Sequence, residues 1–296
     1  EDGHVYATMN ASCKLEVPSL SSIIIEKAMG SAKVSGIKNP VRIEKVLGNL
    51  VLFDVITADV EKVGGNFSVQ QAQDTVKVEK VAGNLTVEDA AVFQTEKVGG
   101  SCRVKKIKGS LYVGKVGGKF IGESINEFKG RSSIGGSFTA QDIKMLDDIN
   151  VGGKIKLINA AFANDVGLRA GGSIDLAYDH NQQDALFKMR SGDHKIKLII
   201  EGDVKEHRSG AYDHQVGEGV TVVTLAAGGS VTLRDQPETE EQVLGDLESQ
   251  FEFKESAFSE LIQDRVDSAT KMAEAKVKSA EIRLEQMRER LEKNRH

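Results

Sequence analysis

Charge recurs in this chain at a fixed interval. Glu44-Lys45-Val46, Glu61-Lys62-Val63, Glu79-Lys80-Val81 and Glu96-Lys97-Val98 repeat one phrase, and Lys115 continues the lysine column alone. Stacked at a regular spacing, such residues would set a ladder of carboxylates beside a ladder of ammonium groups. A striped surface of that kind can recognise a charged polymer or another rod, or can be a solvated face that keeps the molecule soluble. The candidate binding face is Lys45, Lys62, Lys80, Lys97 and Lys115.

Other residues could support metal or acid–base chemistry. Asp179-His180, Asp193-His194 and Asp213-His214, with Asp203 and His207, combine imidazole and carboxylate, both common metal ligands. Their spacing is irregular, and no cysteine cluster or helix with ligands at i and i+4 joins them. They read as polar turns, and no metal or cofactor is assigned. Asp142 and Asp147 could form a carboxylate pair of the kind that cleaves glycosidic bonds. The sequence carries no Gly-x-Ser-x-Gly elbow, Walker phosphate loop, His-Glu-x-x-His pair or dinucleotide fingerprint. The expectation is a non-enzymatic protein with no cofactor.

What would position these residues is an internal repeat of 17 or 18 residues. Val63-Gly64-Gly65-Asn66-Phe67 returns as Val81-Ala82-Gly83-Asn84-Leu85, Val98-Gly99-Gly100-Ser101-Cys102, Val116-Gly117-Gly118-Lys119-Phe120 and Ile134-Gly135-Gly136-Ser137-Phe138. Anchor glycines run from Gly48 to Gly172, with Gly229 as a late echo. Apolar residues stand two and four places after each anchor, as in Leu50/Leu52 and Phe67/Val69, and share one face of a strand. Pairs such as Val41/Ile43 and Ala58/Val60 mark a second strand before the glycine. Two short strands and two turns make one coil of a β-solenoid, in which each unit is buried only by its neighbours.

Roughly eleven or twelve coils between residues 31 and 235 would give a rod on the order of 50 Å long. The anchor glycines are expected at the corner with positive φ. Between Asn126 and Asp148 the pattern weakens, because Lys129, Arg131 and Asp148 fall where apolar residues are expected; a bulge or register change is predicted there. Residues 1–30 read as strands capping the first coil.

Composition agrees with a thin core. The chain has 30 Gly, 3 Pro, 4 Tyr and no Trp in 296 residues, and a formal net charge of -5. Few aromatics and no basic excess argue against a nucleic-acid partner. Cys102 falls in a column of Leu and Phe and reads as a buried small hydrophobe; a bridge to Cys13 is not expected. No window is apolar and long enough for a membrane helix, and no basic-then-apolar leader follows Glu1. Two isolated thiols and a charged tail suit the cytoplasm; the cell envelope or surface is the alternative.

After Pro237 the glycines nearly stop. Ile262, Val266, Ala269, Ala273, Val277, Ala280, Leu284, Met287 and Leu291 stand three or four apart. That stripe predicts a long amphipathic α-helix within residues 236–296, which needs a partner surface to be stable. These are the candidate oligomerisation residues. The partner would be a second copy or another helical protein; membrane contact is the weakest option because of the many Glu residues.

The Gly-x-Leu/Phe/Ile-x-Val coils, preceded by Val-Gly or Val-Ala-Gly, resemble the bacterial putative-adhesin family of β-solenoid domains over about residues 30 to 233. They are less similar to bactofilins, cytoskeletal β-helices that polymerise end to end. The resemblance implies a binding or envelope-associated scaffold and carries over no catalytic residues. Two functions are expected from these features. One is an assembly scaffold working through the C-terminal helix; the other is an adhesin-like module recognising a glycan or protein on a solenoid face.

Overall fold

The computed structural model describes residues 4–10, 18–178 and 184–235, and every regular element among them is a strand. The first are β1 (His4–Met9), β2 (Ser22–Ala28), β3 (Ala32–Ser35), β4 (Val41–Val46), β5 (Leu50–Val55) and β6 (Ala58–Val63). Three long strands then run through a corner without a break: β7 (Phe67–Val81), β8 (Leu85–Val98) and β9 (Cys102–Val116). Next come β10 (Phe120–Lys129), β11 (Ser132–Ile134), β12 (Phe138–Leu146), β13 (Ile149–Val151), β14 (Ile155–Ala160), β15 (Val166–Ala170) and β16 (Ile174–Tyr178). The last are β17 (Ala185–Ser191), β18 (Ile196–Ile200), β19 (Asp203–His207), β20 (Ala211–Val216), β21 (Thr221–Ala227) and β22 (Val231–Arg234).

The molecule is a β-solenoid of about nine turns in the regular region. Strands pair in parallel with the equivalent strands of the coils above and below, so like residues stack: Leu50 on Phe67, Phe67 on Leu85, Leu85 on Cys102, Cys102 on Phe120. In the coil from Leu50 to Val63, Leu50, Leu52, Val55, Ala58, Val60 and Val63 all point inward and are buried. Repetition of these columns makes one continuous core. Cys102 is fully buried and free.

The glycine corner works differently from expectation. None of the anchor glycines has positive φ. Their requirement is close backbone approach: a Cβ on Gly83 would lie 2.6 Å from the Gly65 carbonyl oxygen, and one on Gly136 2.7 Å from that of Gly118. Left-handed backbone sits instead at the other corner, where Asp54, Gln71, Asp89, Lys106, Ser124, Asp142 and Asn159 have φ between 49° and 57°. Side chains there often reach neighbouring coils. Lys38 donates to Asp54 at 2.8 Å, Lys108 lies 2.6 Å from Asp89, and Asn159 donates to Asp142 at 2.6 Å.

The weak stretch keeps its place in the stack across a register shift against β9 between Ile125 and Glu127, the irregularity expected there. Phe128 takes the inward slot between Leu111 and Leu146, and the chain then breaks at Gly130, φ 81°, before β11 resumes. Asp147 accepts the Gly130 N–H at 2.7 Å, and Asp148 accepts the Gly167 N–H at 2.7 Å and an Arg131 N–H at 3.2 Å. The unexpected polar residues thus secure a widened turn. Gly122 leaves room for the rings around it: Phe120 stacks on Phe138 at 4.8 Å, and Phe128 meets both edge-on.

At the C-terminal end, order in the stack departs from order in the chain. β21 pairs on β15 and β22 on β16, while β17 and β18 lie beyond them, on β21 and β22. The chain therefore skips one level, forms the outer rung, and returns to fill the gap. Above that outer rung, β20 pairs antiparallel with β17 and β19 antiparallel with β18. At the other end β1 pairs on β2, which is itself a rung of the stack under β4. The predicted helix within 236–296, with its stripe from Ile262 to Leu291, lies outside the described residues.

Candidate functional site

The lysine ladder arises from a break in strand alternation. In Ile43-Glu44-Lys45-Val46 the first and last residues are buried and both residues between them face solvent. The same holds for Val60-Glu61-Lys62-Val63, Val78-Glu79-Lys80-Val81 and Thr95-Glu96-Lys97-Val98. A strand that alternated strictly would turn one of each charged pair inward. Here both stay out, one column beside the other.

Register places the candidate residues together. Lys45 pairs with Lys62, Lys62 with Lys80, Lys80 with Lys97 and Lys97 with Lys115, and Lys115 abuts Ser133. All of these lysines are exposed, and none makes an ion pair among the described residues. The glutamate column is nearly as free: Glu61 meets Arg42 at 3.9 Å. Like charges repeated at the strand spacing of about 4.8 Å repel along each column.

Sequence reasoning missed one member and one companion. Glu26-Lys27-Ala28 has the same pattern of exposure and precedes Glu44-Lys45-Val46 in the stack, since Ala28 pairs with Val46. The phrase was visible with Ala in place of Val. The companion is a polar ladder just after the anchor glycines. The Asn66 N–H donates to the Asn49 Oδ1 at 2.8 Å, Asn84 to Asn66 at 2.9 Å and Ser101 to Asn84 at 2.8 Å. The Lys119 N–H continues the series to the Ser101 hydroxyl at 3.2 Å. These side chains satisfy corner amides that no strand partner reaches.

The Asp-His residues serve the C-terminal cap. Asp193 accepts the Ser191 hydroxyl at 2.8 Å and the Lys195 N–H at 3.1 Å, and Asp213 accepts from Arg190 at 3.2 Å. His207 stacks on Tyr212 with ring centres 3.8 Å apart. His214 lies half-buried between Tyr212 and Val216, and burial, then the nearby Lys205 charge, lowers its pKa against a smaller opposing pull from Asp235. Asp179 and His180 lie outside the described residues. Among the described residues no three His, Cys, Asp or Glu side chains come together as a metal site. Asp142 and Asp147 are not joined as a pair: one accepts from Asn159 and the other holds the Gly130 amide. Among the described residues no helix is long and apolar enough to cross a membrane.

Comparison with protein-family models, curated proteins and solved structures finds no match to this chain. Its chemistry must be argued from its own geometry. That geometry offers a patterned electrostatic surface on a rod.

Proposed function

We propose that this chain is a non-enzymatic structural scaffold, a rigid β-solenoid that self-associates or docks a partner through the segment following Asp235. The supporting observation is the position of its exit strand. β22, the last strand before that segment, is an interior rung with β16 on one side and β18 on the other. A strand at the end of a stack peels from one neighbour; an interior strand separates only when two hydrogen-bonded ladders fail.

Two further contacts fix the exit. Arg234 grips Asp175 on β16, and the Asp235 carboxylate accepts the Glu201 N–H at 2.7 Å. Load applied to the C-terminal segment would enter the body of the rod, which suits a member of an assembly. The stripe from Ile262 to Leu291 supplies the apolar surface that such an assembly needs.

Light scattering on the full chain tests the proposal, beside full-length Val277→Asp and Leu284→Asp variants and a chain ending at Asp235. The expected result is a multimer that falls toward monomer mass in all three altered proteins. A mass unchanged by these alterations would refute assembly through this segment.

A further inference from the structure

We infer that the twin Glu/Lys ladder is a pairing surface for a second copy of this chain, with the two rods side by side and parallel. The inference rests on the scaffold reading and names a contact that the exit segment does not supply. From Glu26-Lys27 to Glu96-Lys97 the surface carries two outward-facing columns of opposite sign, the lysines exposed and the glutamates exposed or half-exposed, one residue apart and held in register from rung to rung by the buried residues that flank them. Five rungs at the strand spacing cover about 20 Å. Each column repels itself, and the two do not neutralise each other through ion pairs within the chain.

The partner that relieves both columns must carry the same period and the mirrored order of signs. A linear polyanion would suit the lysines and meet the glutamates; a polycation would do the reverse. A second copy supplies both columns by construction. Symmetry then selects the arrangement. Rotation by half a turn about an axis parallel to the rod sets every Glu column against a Lys column at equal height. Rotation about an axis running across the stripe sets Glu on Glu and Lys on Lys, which electrostatics rejects.

Neighbouring features agree. The corner beside the lysines is low in three of the five rungs, where Gly64, Ala82 and Gly99 let a second rod approach closely, while the first two rungs present Met29 and Leu47, exposed apolar side chains that such a rod would cover. Parallel rods also bring both Asp235 exits to the same level.

The test uses full-length protein, an equal mixture of ordinary and heavy-nitrogen-labelled chains, coupled with a zero-length carbodiimide and read by mass spectrometry. Mixed-isotope links between the two columns, such as Lys62 to Glu61 and Lys97 to Glu96, are expected and should fade in molar salt. Single-isotope links alone, with light scattering still reporting an assembly, would overturn the pairing face and leave the scaffold reading standing. Monomer mass would sink both. Links from the ladder lysines to Glu238 or Glu240 would identify the chain's own acidic segment as the occupant and overturn the inference. Retention on an anionic polymer without mixed links would overturn it in favour of a polyanion.

Charge reversal gives an independent arm. One full-length variant carries Lys45→Glu, Lys62→Glu and Lys80→Glu; the other carries Glu44→Lys, Glu61→Lys and Glu79→Lys. Each alone should lose the Lys97–Glu96 mixed link while melting near the parent temperature. Mixing the two should restore it, and failure to restore it would count against pairing.

Discussion

Arg234 closes a two-pronged ion pair on Asp175, its Nε and Nη2 each 3.0 Å from a carboxylate oxygen, across the seam between β22 and β16. The two residues are 59 apart in sequence, because the intervening chain builds the outer rung and its cap before returning. The guanidinium side chain is 13% exposed and the carboxylate 35%, so solvent screens the pair only in part.

Replacing Asp175 with Asn keeps the shape and removes the charge. Charge-assisted forked hydrogen bonds are among the stronger polar contacts, and a partly exposed one should contribute about 1–2 kcal/mol. Hydrogen exchange should quicken at Leu233 and Arg234 before it quickens in β7 or β8. Uniform exchange across the stack would show that the pair does not secure the returning rung.

The core allows a sharper test at Phe120. Its ring stacks on Phe138 and meets Phe128 edge-on at 5.4 Å, so Phe120→Ala should cost about 3–5 kcal/mol in chemical denaturation. Gly122→Ala probes the same site from the opposite direction. Its new Cβ would lie 2.8 Å from both Phe120 and Ile125 side-chain carbons, and overpacking should cost about 1–3 kcal/mol. A neutral Gly122→Ala would mean that the rings have space to move.

Thr95 should be improvable. It is buried between Val78 and Val113 in an inward column, and its hydroxyl has no hydrogen-bond partner. Valine has the same branched shape without the polar group, so Thr95→Val should stabilise the fold by about 1 kcal/mol. A loss of stability would reveal a partner for the hydroxyl.

These sites show what the sequence could and could not disclose. Gly65, Gly83, Gly100 and Gly118 were legible as a repeat because each lies against the backbone of the coil before it, a demand that only glycine meets. The opposite corner was not legible. Left-handed backbone there is met by Asp, Gln, Lys, Ser and Asn in turn, so one conformation leaves no common residue type. Gly229 was legible as a late echo of the anchor series but the level of its rung was not, since β22 lies between β16 and β18 although β18 precedes it in the chain. The lysine register was legible because Lys45 to Lys115 keep step with the glycines.

Cys102 gives a chemical check on burial. Its thiol lies wholly inside the column between Leu85 and Phe120, and desolvation raises its pKa well above that of a free thiol. Peptide mapping after thiol alkylation at mildly alkaline pH should find Cys102 unmodified in the folded protein and modified in denaturant. Rapid modification under native conditions would contradict the assigned column.

The cap should make stability depend on pH through His214. Because its folded pKa is lowered, the unfolded chain binds more protons than the folded one once pH falls below the ordinary imidazole value of 6.5. The stabilisation is complete above that value and is lost as pH falls through it toward the lower folded pKa. Burial is the larger cause and Lys205 the next, so two substitutions separate them. His214→Gln should remove this part of the pH dependence altogether. Lys205→Ala should shrink it while keeping its sign, because burial, the largest cause, remains and outweighs the opposing Asp235 charge. Urea midpoints measured on either side of about pH 6.5 provide the comparison. If the parent and His214→Gln show the same slope, the histidine is not held neutral by the cap, and the half-buried position between Tyr212 and Val216 must be open to water.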